Sequence, residues 1–122
     1  MKRIFYLGIV ILMCFFAACE KEASNVVLTV DKATVAPGDT FTFSLSWDGT
    51  FESYSIFSKE SADTDFIKWG ISKNVNKKTL NRTWTEDDAG TYTYYISVYG
   101  CDLDVDDCPV KVESNEVTVV VQ

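Results

Sequence analysis

Few side chains in this 122-residue chain can do chemistry, and most of those are acidic or aromatic. Histidine is absent, and with it the commonest general base. The sequence contains no phosphate-cradling glycine loop, no nucleophile elbow and no Cys/His metal cluster. Serine and threonine abound, yet none has a histidine or an evident lysine partner to activate it. A glycosidase needs two carboxylates set across a cleft, whereas Asp87 and Asp88 adjoin in sequence and suit a turn. These absences point to a non-catalytic protein with no obligatory cofactor.

Two groups of residues could still act on a ligand. In the segment from Cys101 to Cys108, Asp102, Asp104 and Asp106 alternate like the first ligands of a calcium loop, where hard carboxylate oxygens converge on a hard cation. The glycine that turns an EF-hand loop is replaced by Asp107, and no bidentate glutamate follows inside the segment. A Ca2+ site and a solvated acidic loop are the two readings. The second group is aromatic: Phe57, Tyr95 and Tyr99, joined by Trp69 or Phe66 according to the register of the intervening strand. Exposed together, such rings form a flat platform on which a sugar ring stacks its C–H face. The alternative is a loop, residues 59–65 or the acidic one, folded over them.

The opening residues are those of an export signal. Lys2 and Arg3 precede an apolar run from Ile4 to Ala18 that is too short to span a bilayer as a helix. At its end, Phe16-Ala17-Ala18-Cys19 resembles the lipobox of bacterial lipoproteins: a bulky apolar residue, two small ones, then cysteine. The resemblance implies removal of residues 1–18 and acylation of Cys19, which becomes the new N-terminus and holds the protein to a membrane through its acyl chains. Cys14 is the competing cysteine, but Met13 before it is not small. Residues 19–25, with Glu20-Lys21-Glu22 after the cysteine, form a polar tether. Charged residues in that place are similar to the signal that sends Bacteroides-type lipoproteins to the outer face of the outer membrane, the periplasmic face being the alternative.

Cleavage would take two of the 11 basic residues and none of the 18 acidic ones, leaving nine against 18 and a net charge of about −9. So acidic a chain repels nucleic-acid phosphates and anionic headgroups, which excludes DNA and RNA as expected partners. The remaining length is that of one domain.

From Val26 to Gln122 the chain reads as strands, in short runs of Val, Ile, Thr, Phe, Tyr and Trp broken by Gly, Pro, Asp and Asn. Val26 to Val30 leads into the turn Val35-Ala36-Pro37-Gly38-Asp39. Phe41, Phe43, Leu45 and Trp47 then alternate with polar residues and share one face. Asp48-Gly49 turns the chain into Phe51 to Ser58, with Tyr54 and Ile56 on one face and Ser55 and Phe57 on the other. Ile67, Trp69 and Ile71 alternate in a further run, Thr79 to Thr85 turns Leu80 and Trp84 inward, and Glu116 to Val121 closes the sheet. Strand signals every ten or so residues predict a sandwich or barrel.

The stretch from Asp87 to Tyr94 places Asp88, Gly90, Tyr92 and Tyr94 where immunoglobulin-like domains carry D-x-G-x-Y-x-C. It resembles their tyrosine corner, which implies an all-β, antiparallel, immunoglobulin-like β-sandwich with the Tyr92 hydroxyl bonded to the backbone upstream. Tyr94 stands at the position of the inter-sheet cysteine, so that disulfide is not expected. Beyond it, Ile96 and Val98 point inward while Tyr95, Ser97 and Tyr99 point outward. In an oxidising compartment Cys101 and Cys108 pair, and closing so short a loop contributes roughly 2–3 kcal/mol.

The expected function is a non-catalytic binding or adhesion module at the cell envelope, with a glycan or a protein as ligand. The alternative is an assembly subunit that docks through its sheet edges, a role the strand from Glu116 to Val121 would suit.

Overall fold

The computed structural model describes residues 23–75, 78–101 and 111–122, and in them the chain is all-β. The strands are β1 (Ser24–Val30), β2 (Thr34–Val35), β3 (Thr40–Asp48), β4 (Ser53–Glu60), β5 (Ile67–Lys68), β6 (Ser72–Lys73), β7 (Leu80–Thr85), β8 (Gly90–Tyr99), β9 (Lys111–Glu113) and β10 (Val117–Val121). They form two sheets in a sandwich-like arrangement. The first has the order β1-β3-β7; the second has the order β2-β10-β8-β4-β5, with β6 also on β4 and β9 also on β8. All pairings are antiparallel except β2 with β10.

Alternation places the core. In β3, Phe41, Phe43 and Leu45 are buried while the residues between them are not. From the second sheet Tyr54, Ile56, Tyr94, Ile96, Val98, Val119 and Val121 meet them in one cluster. Each such side chain contributes roughly 1.5–3 kcal/mol by leaving water. The rings of Phe43 and Tyr94 meet across the sheets at 4.8 Å between centroids.

The turns follow their residues. Gly38 adopts φ 86°, and its N–H donates to the Glu86 carbonyl at 2.9 Å, tying the Pro37 turn to the end of β7. The corner leading into β8 has the Tyr92 hydroxyl donating to the Asp88 carbonyl at 2.8 Å.

The strands depart from the sequence reading in three places. Ala23 is buried and β1 begins at Ser24, so the packed domain includes the end of the supposed tether. The run through Ile67, Trp69 and Ile71 is not one strand: Gly70, at φ 85°, separates β5 from β6, and Ile67 and Trp69 are both exposed. Finally, β10 is not a free edge throughout, because Val120 and Val121 pair with Thr34 and Val35 of β2.

Candidate functional site

The outer face of the second sheet is built by β4, β5, β8 and β9. Core-facing Tyr54, Ile56, Ile96 and Val98 alternate with outward Ser53, Ser55, Phe57 and Lys59 on β4 and with Tyr95, Ser97 and Tyr99 on β8. Register sets them in rows: Phe57 opposite Tyr95, Ser55 opposite Ser97, and Ser53 opposite Tyr99. On the flanks, Lys68 stands opposite Phe57, Glu113 opposite Ser97 and Lys111 opposite Tyr99.

Phe57 and Tyr95 stack with centroids 4.7 Å apart and planes 3° from parallel. Phe66, at the end of the β4–β5 loop, meets Tyr95 edge-to-face at 4.8 Å, and the Lys59 ammonium lies 4.9 Å from the Phe66 centroid. Each stacked ring thus covers one face of the other. The result is a half-buried aromatic ridge with Phe66 of the β4–β5 loop against it, nearer to the loop-covered alternative than to a flat open platform. Tyr99 is nearly buried and lies under Lys68, whose Nζ is 5.6 Å from its centroid. Burial, then the nearby Glu113, Tyr99 and Glu116, raise the pKa of the Tyr95 phenol, so it is a neutral group at physiological pH.

Trp69 must be corrected. It is not on this face: its indole N–H donates to Ser58 Oγ at 2.6 Å, and its ring meets Trp84 of the first sheet at 5.5 Å. The turn at Gly70 carries it around the edge of the sandwich, where it remains 53% exposed.

Sequence reasoning missed the floor of the face. Ser55 and Ser97 read as solvent-facing, yet they are 1% and 0% exposed, and neither Oγ has a hydrogen-bond partner. A buried hydroxyl left unpaired costs about 1–3 kcal/mol. The only signal in the sequence is two small polar residues at the centre of an otherwise aromatic face.

The edges differ in how they are finished. The outer edge of β1 is capped by Asn115, whose Nδ2 donates to the Leu28 carbonyl at 3.0 Å and whose Oδ1 accepts from the Leu28 N–H at 2.7 Å. Among the described residues β7 pairs with β3 alone, so its other edge is open. The carboxylate of Glu86, just past β7, accepts from Trp84 Nε1 at 3.0 Å and from Tyr94 Oη at 2.5 Å.

Cys19, Cys108, Asp102, Asp104 and Asp106 lie outside the described residues, and Cys101 is at their boundary. No group of three or more metal-ligating side chains occurs among the described residues, nor does any helix long and apolar enough to cross a membrane.

The fold and the face define a small all-β sandwich with an aromatic, lysine-bearing sheet surface. No protein-family model and no curated protein matches the chain. Among solved structures, it is similar to a chain from the work described as "Structural basis of T cell specificity and activation by the bacterial superantigen toxic shock syndrome toxin-1". The TM-score is 0.56 at 10% identity, over 80% of this chain and 100% of that one, a likeness of fold alone.

Proposed function

We propose that the chain is an exported, lipid-anchored, immunoglobulin-like module that binds a glycan or protein ligand, without catalysis, through the outer face of its second sheet. The observation that carries this reading is the cluster of Phe57, Phe66 and Tyr95, half-buried and set with Lys59 and Lys68, on a sheet face where polar residues would be free to stand.

Several features support the immunoglobulin-like label. The first strand divides between the sheets, β1 joining β3 and β2 running parallel to β10. The order β10-β8-β4 beside β1-β3-β7 is that of the sheets in such domains, and the Tyr92 corner bond stands in its expected place. The lipobox resemblance supports acylation at Cys19 and attachment to the outer membrane, with surface display. The same reading includes a Cys101–Cys108 disulfide that staples the segment after β8. Calcium binding by Asp102, Asp104 and Asp106 is its least supported part.

An array of glycans and surface proteins, probed with the wild-type chain and with Tyr95→Ala, tests the reading. A ligand held by wild type and lost in the variant is expected; a ligand held equally by both would refute it.

A second reading has one specific observation behind it. The open edge of β7 offers a row of backbone groups for strand addition, so an assembly role would use that edge, not β10.

A further inference from the structure

Resting on that reading, we infer that the outer face of the second sheet is a subsite for an acidic polysaccharide: hydroxyls on Ser55 and Ser97, a ring face on Tyr99, and a carboxylate on Lys68.

Ser55 and Ser97 stand at the centre of the face. They face each other across β4 and β8, are almost wholly buried, and hold unpaired hydroxyl oxygens that point away from the apolar core. Adjacent buried polar groups without partners call for one, since their desolvation is otherwise uncompensated. Around them stand the Phe57–Tyr95 stack on one side and Tyr99 on the other. Small polar residues thus stand between large rings, a composition that suits a sugar ring with its apolar C–H face and its rim of hydroxyls.

Lys68 reaches across this part of the face. Its backbone is opposite Phe57 on the far side of β4, and its ammonium reaches the ring of Tyr99 on β8. The reach between them crosses β4 at the level of Ser55, a path that would carry the lysine stem over the two serines. An exposed lysine on a cation–π contact is cheaply displaced. A ligand entering beneath it would give the serines their partners and leave the ammonium beside the ligand.

Charge decides between a neutral and an acidic sugar. The chain carries a net charge of −7, yet Lys59, Lys68 and Lys111 gather on this one face. Lys111 is paired with Glu113 at 3.7 Å, whereas Lys59 and Lys68 have aromatic rings beneath them and, among the described residues, no carboxylate partner. With Glu113, which stands opposite Ser97, paired to Lys111, the ammonium groups of Lys59 and Lys68 favour an anion among hydroxyls, which is a uronate-bearing chain.

The test measures binding of the full chain to polygalacturonate, alginate and hyaluronan, with methyl-esterified polygalacturonate as the uncharged match. Binding to a uronate polymer that falls roughly tenfold on Lys68→Met and on methyl esterification is expected. Ser97→Ala should weaken binding severalfold without lowering the unfolding midpoint, because its hydroxyl has no partner to lose in the free protein. Equal binding of charged and esterified polymers, indifference to both substitutions, or no binding to any uronate would overturn the inference. If a neutral glycan or a protein is then bound in a Tyr95-dependent way, the inference falls and the general binding reading stands. If binding to every ligand survives Tyr95→Ala, both fall.

Discussion

The Tyr94 hydroxyl, from the second sheet, donates to the carboxylate of Glu86, which also accepts the indole N–H of Trp84 from the first. This polar tie joins the sheets through one acceptor. Removing it strands two donors, one of them on the wholly buried Tyr94. Glu86→Ala is therefore expected to cost about 1–3 kcal/mol, read as a lower urea midpoint with an unchanged slope, and Tyr94→Phe less, since Trp84 keeps its acceptor.

The same pair makes stability depend on alkaline pH. Burial first, then the hydrogen bond to Glu86, raises the Tyr94 pKa well above its ordinary value of 10. A raised folded pKa means the stabilisation is complete below the unfolded value of 10 and is lost as pH climbs beyond it toward the folded value. Melting temperature should be flat with respect to this group through neutral pH and fall above about pH 10, and Tyr94→Phe should flatten that fall. Thermal scans across alkaline pH, beside an ultraviolet titration of tyrosinate, check it.

Asn115 acts as a one-residue strand. Its amide satisfies both the N–H and the carbonyl of Leu28, binding the loop before β10 to the edge of β1. Asn115→Ala should destabilise the domain by about 1–3 kcal/mol and speed amide exchange at Leu28 more than at Val119, which hydrogen exchange resolves.

Anchoring is tested separately from folding. Cys19→Ser should move the protein from the membrane fraction to the soluble one and abolish labelling by a fatty-acid probe, while the melting temperature of the domain stays unchanged. Membrane association that survives the substitution would contradict the lipid anchor.

Much of the frame was legible because strand alternation is a strict signal. Phe41, Phe43 and Leu45 could share a face in no other way, and Asp88, Gly90 and Tyr92 carry their corner in their spacing. Alternation gives the side of a residue but not what covers it, so Ser55 and Ser97 were placed on the right face with the wrong exposure. Trp69 was misplaced because Gly70 could be read as one more small residue in a strand, while in the fold its positive φ ends the strand and turns the indole to the sandwich edge. Glu86 carries no spacing signal that ties it to Trp84 and Tyr94, because the bonds form only when the two sheets meet. Asn115 gave no signal, since its partner lies 87 residues away.

Ligand binding is expected to use the outer face of the second sheet and not the open edge of β7. One measurement addresses it: the affinity of the full chain for a ligand captured on the array, compared among wild type, Tyr95→Ala and Thr83→Lys. Tyr95 stands in the aromatic ridge, and Thr83 is exposed on β7, where an added lysine obstructs strand addition. Loss of at least roughly tenfold in Tyr95→Ala with Thr83→Lys near wild type is the predicted result. Loss in Thr83→Lys with Tyr95→Ala unaffected would contradict the account and assign the molecule to assembly through its edge.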